Sequence, residues 1–163
     1  MKRIVLLSDT HNFFDKRFEP YLKDCDEIWH AGDIGLISII EKLESFAPVK
    51  AVYGNIDDFK LRSEFEEILF FNCENVRVIM THIGGSSLSY TKKIRDIIKR
   101  NKPNLFICGH SHILKVEYKK KFNLLHLNPG ASGNYGPHKV KTILCFNIAD
   151  TEIVDLKVVE VPR

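Results

Sequence analysis

Short apolar runs that each end in polar residues are the feature that most constrains how this 163-residue chain can fold. Runs of this length are typical of buried strands and are too short for helices. They cover residues 4–7, 27–29, 49–53, 76–80 and 105–107. Segments with helical spacing of apolar residues lie between several of them, at residues 15–23, 36–46 and 88–100. Strands and helices are therefore predicted to alternate in the first two thirds of the chain.

The last third of the chain changes to a pattern of strand, turn and strand. Strands are predicted at residues 113–118, 122–127, 139–147 and 152–161, and a tight turn at 72–75 joins a strand at 67–71 to the run at 76–80. Alternation followed by hairpins predicts an α/β fold, a sandwich of two mixed β-sheets flanked by helices in four layers. The length fits one compact domain, which we expect to span residues 1–163.

Composition and charge exclude several classes of protein. Hydrophobic residues make up 44% and charged residues 28% of the chain, which predicts a folded protein rather than a disordered one. The net charge of +3 is too small to argue for a nucleic-acid partner, and we expect none. The dense basic run Lys119-Lys120-Lys121 lies between two predicted strands. We interpret it as a solvated hairpin tip rather than a phosphate-binding patch.

The cysteines and the apolar runs also bear on location. Cys25, Cys73, Cys108 and Cys145 have no CxxC spacing, so we expect reduced thiols in a cytoplasmic protein. The first apolar run is too short for a signal peptide and lacks a cleavage site of small residues. No apolar stretch approaches the ~20 residues that span a bilayer, so we expect no membrane partner.

Polar residues with metal-binding side chains follow five of the predicted strands. Since functional crevices lie at the carboxyl ends of strands in open α/β sheets, we expect these side chains to converge. Imidazoles, carboxylates and an amide form a ligand set for divalent cations of borderline hardness. The candidate ligands are Asp9, His11, Asp33, Asn55, His82, His110 and His112.

The local sequence around these residues has a physical rationale. In Asp9-Thr10-His11 and in His110-Ser111-His112, an extended backbone would point the first and third side chains to the same face. Gly32, Gly54 and Gly109 each precede a candidate ligand, where glycine permits a sharp turn or a close approach of the backbone.

Seven ligands are too many for one tetrahedral zinc ion. Two cations about 3.5–4 Å apart, bridged by a carboxylate, fit the set better, and such a pair clamps the attacking and leaving oxygens in phosphoryl transfer. Outside the set, we interpret His30 and His126 as buried imidazoles with satisfied hydrogen bonds, and we place His138 near the surface. Asp57 either orients a ligand histidine or caps the segment that follows it, and the sequence leaves both roles open.

The ordered motifs DxH, GD, GN, a histidine after a strand, and GHxH resemble those of the calcineurin-like metallophosphoesterase superfamily. They occur between residues 9 and 112, and the later stretch 128–132, NPGAS, looks like the NPGS loop of the small single-domain phosphodiesterase branch. The resemblance implies that Asp33 bridges two divalent ions. It assigns the ligands Asp9, His11, Asp33 and His112 to one ion, and Asp33, Asn55, His82 and His110 to the other.

The same resemblance implies the reaction and its substrates. A hydroxide held by both ions would attack phosphorus in line and break a P–O bond, with Asp33, Asn55 and His82 as the catalytic residues. The substrate would be a small phosphodiester or an activated phosphoester. Mn²⁺ is the favoured metal because the candidate ligand atoms are nitrogen and oxygen, and Ni²⁺, Fe²⁺, Zn²⁺ and Mg²⁺ are alternatives.

Three departures from the family pattern affect this expectation. Many relatives have a histidine after the GN pair that can protonate the leaving group, whereas this chain has Ile56. Relatives of the small branch tend to read THGH, whereas here Ile83 and two glycines follow His82, and we suggest that the amides of those glycines approach a phosphate. An arginine after the NPGS loop is replaced by Pro137-His138.

A second function remains open at this stage. The same fold could serve as a non-catalytic protein-binding scaffold, as the retromer subunit of this superfamily does. A full set of converging polar ligands argues against a scaffold, because buried polar groups without partners are costly. A nuclease would need a nucleic-acid groove and extra domains that 163 residues do not provide. The sequence does not decide between a monomer and a homo-oligomer.

Overall fold

The computed structural model describes residues 1–85 and 89–163. Its first sheet has five strands in the spatial order β10-β9-β1-β2-β3. The neighbours β1, β2 and β3 run parallel, and β9 pairs antiparallel with β1 and with β10. The strands are β1 (Lys2–Leu7), β2 (Glu27–His30), β3 (Val49–Ala51), β9 (Val140–Ala149) and β10 (Glu152–Pro162).

The second sheet is also five-stranded and mixed, in the order β4-β5-β6-β8-β7. Strands β5, β6 and β8 are parallel, while β4 and β7 form antiparallel edges. The predicted hairpins are therefore present at β4–β5, β7–β8 and β9–β10. The strands are β4 (Ile68–Cys73), β5 (Val76–Thr81), β6 (Leu105–Ile107), β7 (Leu114–Lys119) and β8 (Leu124–Pro129).

Helices cover the outer face of each sheet and complete the predicted four layers. The helices are α1 (Glu19–Leu22), preceded by a 3₁₀ turn at Lys16–Phe18, α2 (Ile37–Glu44), α3 (Phe59–Glu64) and α4 (Lys92–Asn101). Residues of α1, α2 and α3 pack on the first sheet, and Ile94 and Ile98 of α4 pack on the second. Among residues 1–85 and 89–163, no helix is long and apolar enough to cross a membrane.

One helix prediction needs correction, and one helix was not predicted. The helix predicted at 88–100 begins at Lys92, because the Thr91 side chain accepts a hydrogen bond from the Ile94 amide and caps the first turn. Residue 88, the first of that prediction, lies outside the described residues. Helix α3 was not predicted; it has six residues and buries only Leu61, so it leaves little periodicity in the sequence.

The core between the sheets fixes how their edges meet. Trp29 of β2 is fully buried there, with its ring edge-on to Phe71 at 4.9 Å and to Phe146 at 5.7 Å. Such aromatic pairs add about 0.5–1.5 kcal/mol beyond the burial of their area. The packed sheets bring the loops after β1, β2 and β3 against the loops after β5 and β6.

Candidate metal centre

Six of the seven candidate ligands form two clusters that share Asp33. Within each cluster the potential ligand atoms all lie within 4.8 Å of one another. The seventh candidate, Asn55, adjoins the second cluster, with its Oδ1 3.1 Å from His82 Nε2. The first cluster is Asp9, His11, Asp33 and His112, and the second is Asp33, His82 and His110.

Asp33 faces the two clusters with different oxygens. Its Oδ2 lies 3.4 Å from His11 Nε2, and its Oδ1 lies 3.2 Å from His82 Nε2. The Ile56 amide donates a hydrogen bond of 3.1 Å to Oδ1 and holds the carboxylate in this orientation. A carboxylate that presents one oxygen to each cluster has the arrangement of a bridging ligand.

The first cluster contains polar atoms whose bonding is incomplete. Asp9 is fully buried, and its Oδ2 accepts hydrogen bonds from Ser8 Oγ at 2.6 Å and from the His110 amide at 3.2 Å. In the described part of the chain, Asp9 Oδ1 and His11 Nε2 are buried without a well-aligned hydrogen bond, although Asp9 Oδ1 lies 3.0 Å from His112 Nε2 and His11 Nε2 lies 3.4 Å from Asp33 Oδ2. Because such atoms are costly to bury, their donor chemistry fits a divalent cation placed between them.

Charges within the clusters shift the acid–base behaviour of their members. Burial would raise the pKa of Asp9, but the close imidazoles of His11 and His112 hold that pKa well below its usual range. The Asp9 carboxylate raises the pKa of His112. Burial would lower the pKa of His82, but Asp33 outweighs it and raises that pKa. Cation binding at these imidazoles would therefore compete with protons.

His82 is held in the orientation that a ligand needs. Its Nδ1 lies 2.8 Å from the Ala31 carbonyl oxygen, which can only accept a hydrogen bond. Nδ1 therefore carries the proton, and Nε2 is left as the nitrogen that faces Asp33 and Asn55. Fixing a ring tautomer through the distal nitrogen is how proteins orient metal-binding histidines.

His30 and His126 are buried imidazoles with hydrogen-bond partners, as predicted. His30 Nδ1 accepts from the Gly32 amide at 3.2 Å, and its Nε2 lies 3.0 Å from Thr10 Oγ1. His126 Nδ1 lies 2.7 Å from Tyr90 Oη. Burial lowers the pKa of each ring to about 4, so both are neutral near pH 7.

Asp57 has neither of the two roles that the sequence left open. Its Oδ1 accepts a hydrogen bond from the Gly35 amide and its Oδ2 accepts one from the Gly54 amide, each at 2.7 Å. It therefore ties the loop after β2 to the loop after β3, which carry Asp33 and Asn55. The cap of α3 is Asp58, which accepts from the Leu61 amide.

The backbone rationale for the DxH and HxH motifs was wrong. Asp9, His11, His110 and His112 have φ values of 55°, 45°, 68° and 57°, which is left-handed rather than extended backbone. The φ of Asp33 is also left-handed, at 54°. Non-glycine residues in this region cost of order 1–3 kcal/mol each and tend to cluster at functional sites. The side chains converge, but through tight loops.

All three glycines that precede candidate ligands are required by close contacts. A Cβ on Gly32, whose φ is 92°, would lie 2.7 Å from His82 Cβ. A Cβ on Gly54 would lie 2.1 Å from Asp33 Oδ1, and one on Gly109 would lie 2.1 Å from Ser8 Oγ. The backbone at Gly54 therefore lies directly against the Asp33 carboxylate, and the backbone at Gly109 lies against Ser8, which donates a hydrogen bond to Asp9.

Hydrogen bonds from residues that are not candidate ligands hold the loops around the centre. Asn128 Nδ2 donates to the Gly109 carbonyl at 2.9 Å and to Ser111 Oγ at 3.1 Å, so the NPGAS segment supports the GHSH loop. Arg163 donates to the Gly133 carbonyl at 2.7 Å and steadies the residues that follow NPGAS. Arg163 was missed in the sequence because it belongs to no motif.

Two of the three positions where the family pattern is altered are occupied by isoleucine, and both side chains are partly exposed. Ile56 and Ile83 are 44% and 43% exposed. Gly84 is buried, and a Cβ there would lie 3.1 Å from Cys108 Sγ, so packing against Cys108 accounts for this glycine. Tyr135 is 64% exposed and its ring lies 5.6 Å from that of His11. The centre thus has a partly apolar rim.

A cavity adjoins the second cluster. It has a volume of about 320 Å³ and is lined by Asn55 and His82 together with Tyr53, Arg62 and Glu67. The Arg62 guanidinium lies 5.0 Å from the Tyr53 ring centroid and donates to the Asn55 carbonyl at 3.0 Å. The cavity gives a small molecule access to Asn55 and His82.

Comparisons with known proteins agree with this architecture. A family model of the calcineurin-like phosphoesterase superfamily domain matches residues 1–151. A probable metallophosphoesterase of Methanocaldococcus jannaschii is 31% identical over 137 residues, which are 78% of this chain and 67% of that protein. The structure of Vps29 from Entamoeba histolytica complexed with Zn²⁺ has a TM-score of 0.76 at 20% identity and covers 98% of each chain.

A solved archaeal phosphodiesterase has a TM-score of 0.73 at 20% identity, covering 98% of this chain and 99% of that one. At 20% identity these two structures show the fold alone, and both share the four-layer α/β arrangement. The family model and the metallophosphoesterase of Methanocaldococcus jannaschii confirm the resemblance that the motifs indicated. The chain therefore belongs to the calcineurin-like phosphoesterase superfamily.

Proposed function

We propose that this protein is a binuclear metal-dependent phosphodiesterase that hydrolyses small phosphodiesters or activated phosphoesters. The observation that carries the proposal is the carboxylate of Asp33, whose two oxygens face two different clusters of potential ligands at 3.4 Å and 3.2 Å. Paired cations joined by one carboxylate are the arrangement used for in-line displacement at phosphorus.

The two clusters would hold the ions with nitrogen and oxygen ligands, and Mn²⁺ is the metal we favour. One ion would take Asp9, His11, Asp33 and His112, and the other would take Asp33, Asn55, His82 and His110. When bound, such ions acidify water and offset charge on phosphoryl oxygens.

The side chains of this protein would perform the remaining tasks. His82 and Asn55 line the adjoining cavity, so they are placed to contact one side of a phosphoester group. Ile56 and Ile83 offer no proton to a leaving group. We therefore propose that catalysis relies on leaving groups that depart without protonation, which favours aryl over alkyl esters.

Restoring single metals to the stripped protein tests this function. We expect bis-p-nitrophenyl phosphate hydrolysis to return with Mn²⁺ and to be lost in Asp33→Ala, while the control His138→Ala retains it. A wild-type protein that is inert with Mn²⁺, Ni²⁺, Fe²⁺, Zn²⁺ and Mg²⁺ would contradict catalysis, as would an Asp33→Ala variant with full activity.

The absence of a proton donor at position 56 leads to a separate prediction about leaving groups. Methyl p-nitrophenyl phosphate should be cleaved at the aryl ester, and a dialkyl ester should react more slowly. The rate gap between aryl and alkyl leaving groups should exceed the gap that the acidity of the departing alcohols alone predicts. Ile56→His should narrow that gap by up to about 10²-fold, because a positioned acid supplies about 10²–10⁴. The measurement is the dependence of kcat/KM on leaving-group pKa, with Ile56→Asn as control. An unchanged dependence in Ile56→His would contradict the assignment.

A protein-binding scaffold is the second candidate, and the exposed apolar rim favours it. Ile56, Ile83 and Tyr135 are at least 43% exposed around the centre, as a docking surface would require. Substituting these three together with serine distinguishes the candidates: a scaffold would lose its partner in affinity capture, whereas an enzyme would retain hydrolysis of small esters.

A further inference from the structure

Arg62 of α3 binds the main chain of the loop that carries Asn55, which we call the Asn55 loop and which comprises residues 54–57. The Arg62 Nε donates to the Asp57 carbonyl at 2.7 Å. Its Nη2 donates to the Asn55 carbonyl at 3.0 Å and to the Gly54 carbonyl at 3.4 Å. One guanidinium group therefore contacts the carbonyl oxygens of all residues of the loop except Ile56.

The Asn55 loop contributes two groups to the second cluster. The Asn55 Oδ1 lies 3.1 Å from His82 Nε2. The Ile56 amide donates to Asp33 Oδ1, which is the carboxylate oxygen that faces the same cluster. Within residues 1–85 and 89–163, the exposed Asn55 side chain makes no other hydrogen bond. The main chain of the loop therefore determines where the Asn55 oxygen lies.

Arg62 is itself held in place by α3 and by an aromatic ring. The Leu61 side chain is buried in the core and anchors the helix, and Asp58 caps its first turn. The guanidinium lies 5.0 Å from the Tyr53 ring centroid. Arg62 forms no ion pair with a carboxylate of the described chain, so its hydrogen bonds serve the loop. The short helix thus has a role that its single buried side chain does not reveal.

The hydrogen bonds of Arg62 suit arginine rather than lysine. A guanidinium presents five N–H donors in a rigid planar fork, whereas an ammonium is a point charge on a flexible stem. Asp57 supports the same loop in the opposite sense, because its carboxylate accepts from the Gly35 and Gly54 amides. Charged side chains therefore hold both amide and carbonyl groups of the loop, and such bonds are about twice as strong as neutral ones.

We infer that Arg62 is a positioning residue for the second cation site. The proposed ligands of that site are Asp33, Asn55, His82 and His110. Arg62 fixes the loop so that the Asn55 oxygen and the Asp33 Oδ1 face the same place. The inference rests on the proposed function, which requires two bound cations. Hydrogen bonds that orient metal ligands typically account for 10–100-fold in metal affinity, so the loss of Arg62 should weaken the second ion about tenfold or more.

The positive charge of Arg62 makes the direction of the effect informative. A guanidinium near the second site repels a bound cation, so removal of the charge alone should tighten cation binding. Loss of positioning should weaken it. Arg62→Gln removes the charge and the fork together, and we expect weaker binding of the second Mn²⁺. Arg62→Lys keeps the charge without the fork and should also weaken the second ion.

Calorimetric titration of the metal-stripped protein with Mn²⁺ counts the bound ions and measures their affinities. Anomalous diffraction from crystals soaked at graded Mn²⁺ concentrations then assigns each change to a site by its position. We expect the site contacted by His11 and His112 to fill at nearly the same concentration in wild type and in both Arg62 variants. The second site should need about tenfold more Mn²⁺ or more in each variant. An unchanged first site also shows that the variants are folded.

A matched control removes the same charge from the same helix. Lys60 is exposed on α3, and Lys60→Ala should weaken neither site. A wild type that binds fewer than two ions overturns the proposed function and this inference together. If the wild type binds two ions and Arg62→Gln binds the second as tightly or more tightly, this inference alone is overturned. Equal weakening of both sites, or a comparable loss in Lys60→Ala, would also overturn it.

Discussion

At the scale of single residues, the buried polar groups divide by whether their hydrogen bonds are complete. Asp57 and His30 have partners for their buried atoms, and both serve to hold loops. In the described chain, Asp9 Oδ1 and His11 Nε2 are buried without a well-aligned hydrogen bond, and their neighbours are other potential ligands such as His112, whose Nε2 lies 3.0 Å from Asp9 Oδ1. The residues with incomplete bonding are the ones expected to meet a cation, since an unsatisfied buried group otherwise costs about 1–3 kcal/mol.

Asp57→Asn is predicted to destabilise the protein without altering any candidate ligand. The amide nitrogen of asparagine would face one of the two backbone amides that now donate to Asp57, so one buried hydrogen bond is lost. The free energy of unfolding in urea should fall by about 1–3 kcal/mol. The neighbouring Asp58→Asn is a matched control, because asparagine also caps helices well. Equal destabilisation in both variants would contradict this role.

Residue identity was easier to predict than backbone conformation. The seven candidate ligands could be named as candidates from the sequence because each follows an apolar run, and the structure brings six of them into two clusters. The left-handed φ of Asp9 and His112 was not predicted, because a tight loop and an extended one place the same residue types in the same order. The link from Arg163 to Gly133 depends on tertiary packing and leaves no sequence signal.

At the scale of strands and helices, the candidate centre depends on short loops that follow neighbouring parallel strands. The ten strands in residues 1–85 and 89–163 were predicted to within a few residues, because apolar runs, alternation and turn residues specify them. Helix α3 was missed because its six residues bury one side chain. The parallel set β1, β2 and β3 is further held by Glu27, which bonds to Lys2, Trp29 and Lys50.

Glu27 is predicted to make stability depend on pH in the acid range. Burial would raise its pKa, but hydrogen bonds from Lys2, Lys50 and Trp29 lower it to about 2. A depressed folded-state pKa contributes stability that is present above the ordinary value near 4.5 and is lost as the pH falls toward 2. Glu27→Gln should therefore be less stable than wild type at pH 6.

The measurement is the urea midpoint of wild type and Glu27→Gln at pH 6 and at pH 3. The gap between the two proteins should narrow at pH 3, because the Glu27 carboxyl of the unfolded wild-type chain is then largely protonated, whereas the folded protein, with its pKa near 2, still has to release that proton. Glu117→Gln provides an exposed comparison, since surface ion pairs contribute little. A gap of the same size at both pH values would contradict the role of Glu27.

At the scale of the whole molecule, two packed sheets bring distant parts of the chain to one end of the sandwich. Asp9 and Asp33 follow strands of the first sheet, while His82 and His110 follow strands of the second. The shared core between the sheets, with Trp29 at its centre, sets the distance between these loops. The candidate centre is therefore a property of the complete fold, and its members span residues 9–112.

The central claim is that this centre holds two divalent cations that share Asp33. Anomalous diffraction from crystals soaked in Mn²⁺ tests it directly, with Asp33→Ala crystals as the comparison. The account predicts two anomalous peaks on either side of Asp33 in the wild type, one contacted by His11 and His112 and the other by His82 and His110, and the loss of the pair in Asp33→Ala. A single peak, a pair located elsewhere, or no peak among these histidines would contradict it.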